Sequence, residues 1–195
     1  MKKLISAVAV AGACLAPQAF AQSKNFEGFS LGVSANFNSG KTDIPGQSPS
    51  ESSTTAGLKA GYGWAMNPAF ILGLSLSYDM GNVKMGTTAN GATGLVGKGL
   101  TVISIDPGAK LSNDTLVYAR LGYAAVKSEA SGGINGSENY DGTAIGVGLR
   151  NMMGKKWSLE FEYLQPNFTA KRSTAFGGDV KPGASVLSIG VNYHF

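Results

Sequence analysis

Cysteine is almost missing from this chain, and its one copy, Cys14, lies close to the N-terminus. There is also one histidine, His194, next to the last residue. A single imidazole and a single thiol at opposite ends do not make a zinc site in any usual spacing, and no cofactor is expected. An oxygen-ligand calcium site in a loop stays open on these grounds. Charge is scarce as well: Asp, Glu, Lys and Arg are 14% of the residues, against roughly 25% in a soluble globular domain. The net charge of +4 includes Lys2 and Lys3, and what remains is no argument for nucleic acid. Beyond residue 21 no run of about 18 apolar residues occurs, so no spanning helix is expected. Few charges without a hydrophobic helix is what a membrane β-barrel produces, because lipid-facing residues alternate with small lumen-facing ones. Glycine is what the chain has in excess, with 28 residues, about twice its ordinary share.

The first residues read Met1-Lys2-Lys3, an apolar stretch from Leu4 to Leu15, and Ala19-Phe20-Ala21 before Gln22. Charged start, short apolar middle and small-x-small site are the parts of a cleaved secretory signal peptide, expected over residues 1–21. Cys14 would leave with it, so the mature chain has no disulfide and no thiol chemistry. A lipoprotein reading needs a better motif before Cys14 than Ala11-Gly12-Ala13. Residues 22–195 then suit one domain.

Along that domain, segments of about ten residues alternate strictly between apolar and small or polar residues, the period an extended strand imposes. The first has Phe29, Leu31, Val33, Ala35 and Phe37 on one face. The last has Leu187, Ile189, Val191, Tyr193 and Phe195 against Ser188, Gly190, Asn192 and His194. Between them lie segments around 56–64, 70–79, 101–110, 117–125, 143–150 and 157–163, giving eight strands. Short turns are expected at Asn67-Pro68, Ser112-Asn113-Asp114 and Met153-Gly154-Lys155, and loops at 38–53, 81–95, 128–138 and 167–183. Asn90-Gly91, Gly132-Gly133 and Asn135-Gly136 are turn signals inside those loops. Pro107 cannot donate to a ladder and is expected at a bulge near the end of its strand. Alternating long and short links, with both termini on the short-turn side, give an all-β fold: a transmembrane, eight-stranded, antiparallel up-and-down β-barrel.

The polar face separates this from a soluble barrel, which would carry long charged residues outside and large apolar ones inside. Here it is mostly Gly, Ser, Ala and Thr, a poor watery surface but a suitable crowded lumen. Lys59, Lys98, Lys110, Arg120, Arg150, Asp79, Asp106, Glu160 and Glu162 fall on that face. Near balance of sign lets them pair in a small interior, and a plugged lumen is expected. Trp64, Phe70, Trp157, Tyr193 and Phe195 lie at strand ends beside short turns, and Phe37, Tyr78, Tyr123 and Tyr163 beside long loops. Those two rows match the aromatic girdles of a barrel in a bilayer.

Through Gly61-Tyr-Gly-Trp64, the Gly-x-Gly strand centres and the terminal Val191-Asn-Tyr-His-Phe195, the chain resembles the small outer-membrane β-barrel proteins of Gram-negative bacteria. That group includes OmpX, the barrel domain of OmpA, opacity-type adhesins and short porin family proteins. The resemblance implies a multi-pass place in the cell outer membrane among its lipids and lipopolysaccharide. It also implies periplasmic chaperones and the barrel-assembly machinery as partners in biogenesis, with Phe195, Tyr193 and Val191 as the signal that machinery reads.

Chemistry is not evident. Acyl transfer on lipid needs a nucleophile, a base and an orienting group near the outer leaflet, whereas His194 is penultimate and reads as an ordinary interfacial residue. Glu160 and Glu162 form a carboxylate pair in spacing only; Arg120 and Arg150 nearby make them salt-bridge partners. Gly61-x-Gly63 and Gly146-x-Gly148 precede no helix, so they are not a nucleotide fingerprint. The loop residues Lys41, Asp43, Glu51, Lys171, Arg172, Asp179 and Lys181 are solvated tips with basic groups in reach of lipopolysaccharide phosphates. The expected function is structural or adhesin-like surface interaction through four extracellular loops. A narrow porin for small solutes is the alternative, and a lipid-modifying enzyme is the weakest reading.

Overall fold

The computed structural model describes residues 25–44, 46, 48–87, 94–131, 137–173 and 178–195. The signal peptide expected over residues 1–21, Asn90-Gly91, Gly132-Gly133 and Asn135-Gly136 lie outside them. The strands are β1 (Gly28–Asp43), β2 (Ser50–Asn67), β3 (Phe70–Asp79), β4 (Asn82–Thr87), β5 (Gly94–Lys110), β6 (Thr115–Ser131), β7 (Ser137–Met153), β8 (Trp157–Phe168), β9 (Lys171–Ser173) and β10 (Gly178–His194). All pairings are antiparallel, in the order β1-β2-β3-β5-β6-β7-β8-β10, and β10 pairs back onto β1. The ring therefore has eight walls. Two are interrupted: β3 and then β4 pair along β5, and β8 and then β9 pair along β10. The closing seam runs unbroken from Ser30↔His194 to Asp43↔Lys181. No sheet edge is left to lipid there, as a spanning barrel requires.

The alternation has its expected sense. Leu31, Val33, Leu58, Leu74, Leu76, Ile103, Ile105, Leu121, Ile145, Val147, Leu187 and Ile189 face outward and are exposed. The turns are as expected, with Asn67 Oδ1 accepting from Ala69 N at 2.9 Å and Phe70 N at 3.0 Å, and Gly154 at a φ of 85°. From Phe70 to Tyr78, β3 covers about 26 Å along the strand at ~3.3 Å per residue. Tilted by about 40°, that gives an apolar band of roughly 20 Å.

Three expectations fail. First, most of the four supposed loops is wall: β1 and β2 stay paired out to Lys41↔Ser50, β4 lies within 81–95, and β5 and β6 pair out to Gly94↔Ser131. Ser, Thr and Gly there signify a barrel wall standing in water above the lipid, where the outer face need not be apolar. Lys41, Asp43, Glu51, Lys171, Arg172, Asp179 and Lys181 accordingly sit on strands rather than loop tips.

Second, Pro107 makes no bulge. It lies opposite Leu72 on β3, and the register against β6 is the same before it (Ile105↔Leu121) and after it (Gly108↔Tyr118). Lys110 N donates to Ala69 O, so alternation turns residue 107 toward β6, where the ring simply leaves out one rung. Third, the bulge lies between Lys98 and Thr101, with Gly99 at a φ of 63°. That extra residue inverts the parity of the strand. Leu100 is buried and Lys98 is turned out of the lumen, where its Nζ meets Glu129 at 2.6 Å.

The lumen is filled in layers. At the periplasmic mouth Phe26, Ile71, Leu116, Tyr118 and Met152 cluster. Asn25 straps this end, donating to Asn113 O at 3.2 Å and Asp114 Oδ1 at 2.9 Å on the β5–β6 turn halfway round the ring. The outer half holds a larger apolar cluster that includes Val83, Met85, Leu100, Val102, Val126, Tyr140, Leu164, Phe168, Val180 and Val186. Polar and charged side chains occupy the level between.

Candidate functional site

The polar level is the candidate site, and the register builds it. Arg150 on β7 lies directly opposite Glu160 on β8, and Glu162 lies opposite Gly148. Lys59 on β2 is opposite Gly32 on β1, which is itself opposite Asn192 on β10. Glycine leaves lumen for the long side chains: a Cβ on Gly148 would stand 2.2 Å from the Tyr118 ring.

Lys59 Nζ bridges the two carboxylates, at 2.8 Å from Glu160 Oε1 and 2.7 Å from Glu162 Oε2. Arg150 donates to Glu160 Oε2, and Arg120 Nη1 to Glu162 Oε1. Arg120 also donates to Ser104 Oγ at 2.8 Å and Ser77 Oγ at 2.9 Å, and lies 3.8 Å from Asp106 Oδ1. Tyr118 OH donates to Glu162 Oε2 at 2.7 Å, while Lys59 and Arg150 stand over its ring at 5.2 and 5.6 Å. Three cations thus face three carboxylates. Each carboxylate is also hydrogen-bonded, which is the condition under which buried charge is tolerated.

The expected network is therefore brought together at Lys59, Asp106, Arg120, Arg150, Glu160 and Glu162. Asp79 belongs to a neighbouring polar group, accepting from Asn36 Nδ2 at 3.0 Å and Thr55 Oγ1 at 2.6 Å. Lys110 is buried at the turn end of β5 opposite Leu116, below this level. His194 is no interfacial residue: it is turned inward, 2.9 Å from Ser158 Oγ and edge-on to Phe26. Tyr118, Asn36, Thr55 and Asn192 are members that the charge pattern alone did not single out. For Tyr118, Asn36 and Asn192 the signal was a bulky or amide side chain on a face otherwise given to small residues; Thr55 gave none.

Chemically, the site holds and seals. Both glutamates are engaged by cations, and the cavities beside them measure about 40 and 30 Å³. Among the described residues no group of three or more His, Cys, Asp or Glu is placed to hold a metal ion.

The aromatic rows are in place on the outer face. Trp64, Phe70, Trp157 and Phe195 are exposed toward the periplasmic end with Tyr193, and Phe37, Tyr78, Tyr123 and Tyr163 are exposed toward the other. Phe29, Phe195, Tyr193 and Trp157 touch in sequence across the closing seam, with ring centroids 5.5, 5.0 and 5.1 Å apart. Phe195 N donates to Phe29 O at 3.0 Å, and Val191 lies opposite Val33. The terminal residues with an expected assembly role are thus the residues that close the ring.

Residues 5–195 match the family described as the outer membrane protein beta-barrel domain. The chain belongs to that family. This outer-membrane barrel is 25% identical over 157 residues to a 31 kDa outer-membrane immunogenic protein of Brucella melitensis, covering 71% of this chain and 65% of that protein. It thus spans about two thirds of the relative's length. Among solved structures it is similar to Ail, the attachment invasion locus protein of Yersinia pestis, in complex with the heparin analogue sucrose octasulfate. The TM-score is 0.51 and the identity 16%, over 85% of this chain and 99% of that one. The outer membrane protein AlkL in lipid bilayers gives a TM-score of 0.52 at 15% identity, over 93% of this chain and 97% of that one. The likenesses to solved structures carry the barrel fold, and the family match carries the outer membrane.

Proposed function

We propose that this is a closed barrel whose work is structural and adhesin-like, done by the walls and hairpins that stand above the outer leaflet. The observation that carries the reading is the filled lumen: apolar layers at both ends, and between them a charge network beside cavities of about 40 and 30 Å³. A solute path would have to break Lys59, Arg120 and Arg150 from their carboxylates. The tall outer rim supports the same reading, since β1, β2, β5, β6 and β7 run several residues past Phe37, Tyr78 and Tyr123. So do the relative named for immunogenicity and the structural neighbour named for attachment. Lipid chemistry finds no support in the site, where His194 sits at the periplasmic mouth, away from the outer leaflet. Lipopolysaccharide and a surface ligand are the partners this reading implies, and the assembly machinery the one implied by Val191, Tyr193 and Phe195.

The test is conductance of the purified protein in planar bilayers. No steady conductance is expected for the wild type. A steady, ion-selective current that changes in Arg120→Met or Glu162→Gln would overturn the closed barrel in favour of a narrow pore.

A further inference from the structure

Above the outer aromatic row, the seam between β8 and β10 has a defect that the sequence writes in prolines. The ladder there has no rung between Gly183↔Asn167 and Val186↔Leu164. His194 N donates to Lys156 O and Thr169 N to Asp141 O, so even-numbered residues of both strands turn toward this shared seam. Pro166 and Pro182 are both even. Neither can donate, so the Ala184 and Phe168 carbonyls lack the ladder donor that any other residue would supply. Both rings are buried, which fixes the gap in place.

Beside the gap, on the outside of the wall, is a pocket of about 330 Å³, near the lower end of the ~300–1,000 Å³ typical of small-ligand sites. It is lined by Lys41, Asp43, Gln165, Asn167, Lys181 and Ser185 among others. Register puts Lys181 opposite Asp43 across the closing seam. Lys41 Nζ lies 3.0 Å from Asp43 Oδ1. One carboxylate against two ammonium groups leaves the pocket with a positive excess. The Asp43 carboxyl is held below the usual carboxylate range, first by the Ser48 hydroxyl and then by Lys41, so it stays an acceptor. At its floor Tyr163 OH donates to Ser185 Oγ at 3.2 Å, so the pocket begins where the lipid-facing girdle ends.

From this geometry we infer that the pocket binds a phosphorylated sugar. The phosphate is met by Lys181 and Lys41 as point charges, the hydroxyls donate to Asp43 and the seam carbonyls, and Gln165 and Asn167 supply amides that both donate and accept. The height matches the phosphosugar layer of a lipid headgroup, and a free sugar phosphate has the same chemistry. The inference uses the outer-membrane placement of the barrel and does not depend on a sealed lumen.

The test is calorimetric titration of the folded protein in non-ionic micelles with lipopolysaccharide, with dephosphorylated lipopolysaccharide and with a free hexose 1-phosphate. Wild type is expected to bind at least one phosphorylated probe. Lys41→Gln with Lys181→Gln should weaken that binding by about tenfold or more, the loss of charge-assisted contacts. Lys155→Gln with Lys156→Gln, at the other end, should leave it unchanged. Binding of lipopolysaccharide alone assigns the lipid headgroup, and binding of the hexose phosphate assigns a soluble ligand. Pro166→Val with Pro182→Val, which returns both N–H groups, should weaken binding while the heat-dependent gel shift of the folded barrel is kept. The inference is overturned if neither phosphorylated probe binds, if the dephosphorylated probe binds as tightly, or if the double lysine variant binds like wild type.

Discussion

Arg120 is 1% exposed, and its guanidinium is spent on Glu162, Ser104, Ser77 and the flank of Asp106. A charge so enclosed is tolerable only while its partners last, since a buried ion left unpaired costs about 3–5 kcal/mol. Glu162→Leu should therefore lower the unfolding free energy in micelles by that order, and Arg120→Met with Glu162→Leu should recover part of the loss. Urea titration followed by tryptophan fluorescence measures both, and additive losses in the double variant would show that the pair is not coupled. Most of this group was legible as charges on the small-residue face. Tyr118 falls on the same face but carries no charge to mark it as a partner, and its place in the network shows only once Gly148 is seen to make room for its ring.

At the scale of the strand, the period of two carried almost all the information, and it failed where the period itself slips. Lys98 has the same parity as Val102 and Ser104, so a uniform strand puts it in the lumen; one residue inserted at Gly99 turns it out. The sequence signal for that slip was a glycine among many. Its distinguishing property, a φ of 63°, is visible only in the structure. The outer walls were misjudged for a different reason. Above the lipid both faces tolerate polar residues, and Thr42, buried with its hydroxyl donating to Met85 O at 2.8 Å, looks in sequence like any loop threonine. The bulge makes a definite claim. Gly99→Val should cost about 1–2 kcal/mol from the left-handed backbone alone, with the added Cβ also pressing on Tyr78 at 3.2 Å from its hydroxyl. Gly183→Val, on the same outer rim with open space for a Cβ, serves as the control. Equal stability of the two variants by urea titration would contradict the assigned bulge.

For the whole molecule, the decisive quantity is where the apolar belt sits relative to the bilayer. The belt has no counterpart in a soluble protein, since its large side chains point away from an interior already filled by the charge network and two apolar clusters. Water would meet all of them at once, far beyond the few hundred Å² of exposed apolar patch a soluble monomer carries. Both tryptophans lie on the periplasmic row, Trp64 beside the β2–β3 turn and Trp157 at the start of β8, and both are about half exposed, at 45% and 49%. In lipid vesicles they should report one and the same depth, at the headgroup boundary. Quenching by lipids brominated at successive positions along the acyl chain, applied to Trp64→Phe and Trp157→Phe separately, measures each remaining tryptophan. Shallow bromines should quench both most strongly and alike. If either tryptophan were quenched best from the bilayer centre, the belt would be displaced from the band between the two aromatic rows. The outer walls would then not stand clear of the membrane.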